Sequence, residues 1–395
     1  MGQGVSQPSE SRADRVPPAL EGRRLAWAVV ELDAISHNLR AIRHRVGGSR
    51  RVLAVVKANA YGHGAVQVAR RLESEGADLL GVAFPEEGVE LRQAGIRAPI
   101  LVLGASSAGQ IALMVGASLT PTAYSIPFLD ALLAAAPVGS PPLSFHLKVD
   151  TGMGRLGLMP SQLPHALASI AACGGRAVLE GVFTTLSCSD DPTDRRTADQ
   201  VESFGSVIRA VRAAGHSPTW IHAANSGGVI DHPPAWLDTV RPGIMLYGIH
   251  PSAQSSRMDL RPALSWKTSI VLRKAVPAGT ALGYSGAFVT SRPSIIGTSP
   301  VGYADGLSRR IAAQGHALVR GRPAPYAGRI SMDHFMIDMT DILEASEGDE
   351  VVLLGSQCQA SIKAEQLADW AGTIPYEILS RIGPRVPRLY AEKSV

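Results

Sequence analysis

The sequence predicts two folds in succession: an α/β, eight-stranded TIM-type barrel over residues 25–262, then a mostly-β domain over residues 263–395. Length points to more than one core, because 395 residues exceed what a single hydrophobic core usually organises. Texture points to the boundary. As far as about Arg261, short apolar runs alternate with amphipathic stretches, as parallel strands joined by right-handed crossovers do. Beyond residue 262, strand-like runs follow one another between Gly/Pro turns.

Taken in order, Val52–Val56 is a continuous apolar run and Ala65–Glu75 a helix-period stretch. Leu79–Ala83, the helical Pro85–Ala94 and Ile100–Leu103 continue the alternation. Leu143–Val149, Val178–Leu186, Thr219–His222 and Thr239–Leu246 read as further strands, with a long helix at Ala198–Ala214. Seven or eight such units in about 235 residues suit a barrel better than the alternative, an open doubly wound sheet. In the second domain, Trp266–Lys274, Ser294–Thr298, His316–Arg320, Ile330–Thr340 and Val351–Leu354 read as strands. Ile362–Ala371 is its one clear helix, with Ser361 placed as the N-cap.

Apolar residues make up 45% and charged residues 18%, an ordinary soluble globular composition. The net charge of +4 comes from scattered arginines without a Lys/Arg run along a helix face, which argues against a nucleic-acid partner. Cys173, Cys188 and Cys358 are too few and too scattered for a disulfide framework or a metal knuckle, so no metal is expected and a reducing compartment fits. Met1–Arg24 is polar and reads as a flexible tail rather than a signal peptide, and no run approaches a membrane span. A cytoplasmic protein is expected.

Four groups of residues carry chemistry. Val55-Val56-Lys57-Ala58-Asn59-Ala60-Tyr61-Gly62-His63-Gly64 puts a lysine directly after a buried run, at the carboxyl end of a strand, where barrel enzymes build their sites. Desolvation there favours the neutral amine that a covalent nucleophile needs, although a snorkelling lysine would look the same. Lys148-Val149-Asp150-Thr151-Gly152-Met153-Gly154-Arg155 sets charges on both sides of a Gly-rich turn, which a solvated loop would also do. His222-Ala223-Ala224-Asn225-Ser226-Gly227 and Val240-Arg241-Pro242-Gly243-Ile244 follow strand ends and, alone, suggest only turns. The β domain holds Leu282-Gly283-Tyr284-Ser285-Gly286, Val301-Gly302-Tyr303-Ala304-Asp305-Gly306, Arg329-Ile330-Ser331-Met332-Asp333 and Pro375-Tyr376-Glu377.

From about residue 26 to 392, with these motifs in family order, the chain resembles the alanine racemase family. The resemblance implies that Lys57 holds pyridoxal phosphate (PLP) covalently and serves as one catalytic base. It implies that Tyr61, Asn225, Ser226, the N–H groups of Gly243 and Ile244, and Tyr376 bind the cofactor, largely at its phosphate. Arg241 is expected to face the pyridine nitrogen; a guanidinium keeps its proton there and weakens the ring as an electron sink, which favours racemisation over decarboxylation. Arg155 is expected to grip the substrate carboxylate through its planar fork, with Lys148, as a carbamate, or Asp150 as its counter-charge. Tyr284 matches the second base, and Met332, Asp333 and Tyr303 match substrate-binding positions. Tyr284 and the Met332-Asp333 pair are expected from the other subunit, so a homodimer with shared sites follows. Alanine is the expected substrate, with serine or another small amino acid as the broader alternative. One departure is clear: the family usually has a histidine at the place of Thr185, hydrogen-bonded to the pyridine-facing arginine. Other classes on this barrel fit less well. A PLP-dependent decarboxylase would carry an acidic partner in place of Arg241, and a single-barrel PLP carrier would lack the β domain.

Overall fold

The computed structural model describes residues 22, 24–138 and 141–391. Apart from Gly22 and Arg24, the expected tail Met1–Arg24 lies outside the described residues. Among the described residues the chain forms two compact units, Glu31–Ala263 in one and Arg24–Val30 with Leu264–Ala391 in the other. Strand β1, Ala26–Glu31, which the sequence reading put at the start of the barrel, pairs antiparallel with β10, Leu264–Ser269, so its ladder belongs to the second unit.

The first unit is built on eight strands: β2 Arg51–Val55, β3 Leu79–Val82, β4 Ile100–Val102, β5 Thr122–Ala123, β6 Leu143–Lys148, β7 Ala177–Phe183, β8 Trp220–His222 and β9 Thr239–Val240. They run β4-β3-β2-β9-β8-β7-β6-β5, and their ladders are parallel. A parallel bridge from Leu101 to Thr120, just before β5, brings the sheet back on itself as a nearly closed barrel. Because the strands are buried on both faces, they read as near-continuous apolar runs rather than alternating ones. Two residues of β5 are too few to show as a run, which is why no strand is legible there. Thr239–Leu246 was expected as one strand. It stops at Val240 because Pro242 has no N–H for a ladder, and Ile244–Tyr247 coil into a 3-10 turn.

The second unit holds a sheet in the order β16-β15-β18-β10-β1-β20, antiparallel from β16 to β1, a three-stranded sheet β11-β14-β17 and a hairpin β12-β13. Their spans are β11 Leu272–Val276, β12 Ala281–Leu282, β13 Phe288–Val289, β14 Ser294–Ser299, β15 His316–Val319, β16 Arg322–Pro325, β17 Phe335–Asp338, β18 Glu350–Gln357, β19 Ala360–Ile362 and β20 Arg388–Ala391. Trp266–Lys274 is not one strand. At Ile270 and Val271 the chain leaves one sheet, bonding to Asp349, and enters another, bonding to Thr298. Ile330–Thr340 shortens to β17, because Ser331 and His334 close a turn on each other. Ser361 is not a cap but a strand residue paired with Ser356; the helix is Ala364–Ala371, with Lys363 as N-cap.

Candidate active site

The barrel's residues of interest stand at the carboxyl ends of its strands, the rim on which such barrels build their sites. Lys57 follows β2, Lys148 ends β6, His222 ends β8 and Arg241 follows β9. Next to Lys57 the backbone does something L-residues resist. Ala58, Asn59, Ala60 and Tyr61 have φ of 53, 54, 52 and 53°, a left-handed turn that costs roughly 1–2 kcal/mol per residue. Such strain concentrates at working sites. The turn throws Tyr61 inward, where its ring lies 5.0 Å from that of the buried Tyr247.

Tyr61 meets the motif expected to bind phosphate. A Cβ added to Gly243 would lie 2.5 Å from the Tyr61 hydroxyl, so only glycine fits between them. The Gly243 N–H donates to Ser226 Oγ at 3.0 Å, and Ile244 is fully buried beside it. Asn225 caps the short helix Ser226–Asp231, accepting from the Gly228 N–H at 3.0 Å and from Ser189 Oγ at 2.6 Å. The expected cofactor-binding residues Tyr61, Asn225, Ser226, Gly243 and Ile244 therefore come together on one stretch of rim.

Arg241 is buried and holds three acceptors: the carbonyls of Thr184 at 2.7 Å and Ala223 at 3.1 Å, and His222 Nδ1 at 2.9 Å. A guanidinium only donates, so His222 Nδ1 accepts and its Nε2 carries the proton, which it donates to His146 Nδ1 at 3.0 Å. His146 fits because residue 181 on the adjacent strand is glycine; a Cβ there would lie 2.5 Å from its Nδ1. His222 also stacks on Phe183, with centroids 4.7 Å apart. Burial pulls the Arg241 guanidinium down to about 9, still charged at neutral pH, and pushes His146 to about 3, so it stays neutral. Sequence reasoning assigned His222, His146 and Gly181 no role. His222 stood in a quoted motif, and only the crossing of β6, β7 and β8 shows what it holds. The departure at Thr185 thus leaves Arg241 with an imidazole partner from another strand.

Burial lowers the affinity of the Lys57 amine for its proton; Arg155 and Arg241 push the same way, and Glu87 opposes them. Lys148 is lowered to about 8, first by burial, then by Arg241 and Arg155, against Asp150. Asp150, one of the two expected counter-charges, uses its carboxylate to accept the backbone N–H groups of Gly152, Met153 and Arg155 at 2.9, 2.8 and 3.2 Å. Four cations, Lys57, Lys148, Arg155 and Arg241, thus act on one another around a carboxylate already in use. This donor set, with the Gly243 cradle, fits a cofactor with a dianionic phosphate and a substrate with a carboxylate.

The remaining predicted residues stand on the second unit. Tyr284 is 69% exposed in a tight turn, after Gly283 at φ 71°, and lines a cavity of about 430 Å3 with Arg329, Ser331, His334 and Phe335. Tyr303 and Met332, also exposed, sit on two loops zipped together by Tyr303 N–H to Ser331 O (3.0 Å) and Ala304 N–H to Met332 O (3.1 Å). Asp305, fully buried, pins these loops through Arg24 (2.8 Å to each oxygen) and the Gly302 N–H (3.0 Å). The Asp333 carboxylate pairs with Arg385 at 2.7 Å. Tyr376 lies in the first turn of the helix Pro375–Ser380.

Family models of the alanine racemase N-terminal and C-terminal domains match residues 30–251 and 263–390. The chain belongs to the alanine racemase family. It is an isomerase that depends on PLP. It is 42% identical to alanine racemase 2 of Caldanaerobacter subterraneus over 91% of this chain and 93% of that one. With the alanine racemase of Halothermothrix orenii the figures are 41%, 94% and 98%. Among solved structures, the alanine racemase from D-cycloserine producing Streptomyces lavendulae superposes with a TM-score of 0.88 at 36% identity, covering 93% of this chain and 97% of that one. That from Bacillus anthracis with bound L-Ala-P gives 0.88 at 34% identity over 94% and 96%. Among the described residues, no helix is long and apolar enough to cross a membrane.

Proposed function

We propose that the enzyme interconverts L-alanine and D-alanine with two bases, one on each face of Cα. The observation that carries this reading is the Lys57 amine, its pKa lowered by burial, on a rim rich in cations, in a chain of this family. PLP, when bound, would supply an electron sink for this proton transfer. Lys57 holds it and moves the proton on the face of the D-enantiomer; Tyr284 of the partner subunit moves the proton on the opposite face. Arg155 grips the substrate carboxylate, and carbamylation of Lys148, a buried amine that loses its proton near 8, supplies the anion that orients Arg155. Arg241, held by His222, would hold the ring nitrogen. Tyr61, Asn225, Ser226, Gly243, Ile244 and Tyr376 bind the cofactor, while Met332, Asp333 and Tyr303 bound the substrate. Exposure of Tyr284, Tyr303 and Met332 on one unit supports a homodimer in which the partner covers them. Three free cysteines suit a cytoplasmic enzyme, which supplies D-alanine for cell-wall peptidoglycan.

The test mixes two inactive chains, Lys57→Ala and Tyr284→Phe, and follows L-alanine by chiral chromatography. Return of D-alanine supports the racemase and the shared site together. Wild-type protein that makes D-alanine while the exchanged mixture does not would sink the shared site alone. No D-alanine from wild type would sink the substrate assignment.

A further inference from the structure

The strained turn after Lys57 is held from outside itself. Within it, the Ala60 N–H donates to the Val56 carbonyl at 2.8 Å and the Gly62 N–H to the Ala58 carbonyl at 3.0 Å. Asn59 Oδ1 receives the Ala65 N–H at 2.8 Å, tying the turn to the helix that follows. The amide directly after Lys57 goes elsewhere: the Ala58 N–H donates to Glu87 Oε1 at 2.6 Å. Glu87 Oε2 meanwhile accepts the N–H of Ala83 at 2.6 Å and of Phe84 at 3.2 Å, just beyond β3. One carboxylate therefore joins the left-handed turn to the neighbouring strand end.

We propose that Glu87 is a positioning residue, whose carboxylate clamps the left-handed turn and so fixes where the Lys57 amine stands on the rim. Its consequence for the cofactor rests on the reading of Lys57 given above. Four successive non-glycine residues in a left-handed conformation persist only where the surroundings over-determine it. A carboxylate suits the task because it has two acceptor oxygens and makes shorter, stronger bonds than a neutral acceptor. A carboxamide has one acceptor oxygen, and its NH2 would face a second N–H. Glu87→Gln can therefore serve the turn or the strand end, but not both. A residue that only capped the helix Pro85–Gln93 would use Oε2 and leave Ala58 alone.

The experiment compares full-length wild type, Glu87→Gln, Ala58→Gly and the double variant, reading Ala58 amide exchange without cofactor and the PLP dissociation constant. Glycine takes a left-handed φ at no steric cost, so Ala58→Gly relieves part of what the clamp restrains. Glu87→Gln is expected to speed Ala58 exchange at least tenfold and to weaken PLP binding about tenfold, falling below threefold in the Ala58→Gly background. Unchanged Ala58 exchange in folded Glu87→Gln, or equal loss of PLP affinity in both backgrounds, overturns the clamp. Should Glu87→Gln not fold, Glu87→Asp, one methylene too short to span both sides, carries the same expectations. If borohydride fixes the pyridoxyl group on another lysine, the reading of Lys57 fails, while the exchange rates still decide the clamp.

Discussion

The barrel rim and the loops of the second unit hold their candidate site residues in opposite ways. On the rim, groups are committed inside the chain: the buried Arg241 to three acceptors, the buried Asp150 to three amides, and the half-buried Glu87 to two loops. In the second unit the loops are pinned from below by Asp305, while Tyr284, Tyr303 and Met332 stand in the open. The contrast follows from burial: a buried charge without partners costs several kcal/mol, so the barrel must satisfy its own. An exposed tyrosine carries no such obligation and gains its role from whatever surface covers it.

The sharpest way to break this comparison is to ask whether both regions supply a base. Tyr284→Phe should slow solvent deuterium exchange into L-alanine by about 10²–10⁴-fold while leaving exchange into D-alanine measurable. Lys57→Ala, with PLP and a small amine supplied, should show the reverse selectivity. Equal loss of both exchanges in each variant would mean that one base serves both faces, and the second unit would lose its catalytic part.

Next in size is acid stability. His146 and His222 are held neutral by burial, with Arg241 beside them, so both bind protons less readily than an unfolded histidine near 6.5. The unfolded chain then binds more protons below that value, and the stability is complete above about pH 6.5. It is lost as pH falls toward the folded value of His146, about 3. Each imidazole costs up to about 1.4 kcal/mol per pH unit in that window. Thermal unfolding should start in the barrel as pH drops below 6. A melting temperature flat from pH 7 to 4.5 would show that these imidazoles take up protons without penalty.

A smaller effect sharpens the comparison from inside the barrel. Gly181→Ala drives a methyl into His146, displacing it and slackening His222 against Arg241. PLP should bind about tenfold more weakly, the scale of one overpacked core contact. An unchanged PLP dissociation constant in a folded variant would show that Arg241 is held by its two carbonyl acceptors alone.

Much of this was legible in the chain because it is local. A lysine after a buried run, a glycine in the loop expected to bind phosphate and a change of texture near residue 262 are each written in consecutive residues. Family membership carried the remaining assignments by motif, and the barrel with its β-rich partner followed. What could not be read is what depends on residues far apart in sequence. The β5 strand has two residues and exists because they pair with His146 and Leu147 of β6, a partner more than twenty residues on. β1 looks like a barrel strand by composition, yet its ladder partner lies more than two hundred residues on, in β10. Thr185 suggested an arginine short of an imidazole, but the imidazole comes from His222, positioned by His146 in the space left by Gly181. By itself the sequence determined the fold class and the motifs on which the site is proposed, because local pattern and burial dictate them. Only the tertiary structure decided which partner holds each buried charge, because a hydrogen bond needs two atoms within about 3 Å and sequence order does not set that distance.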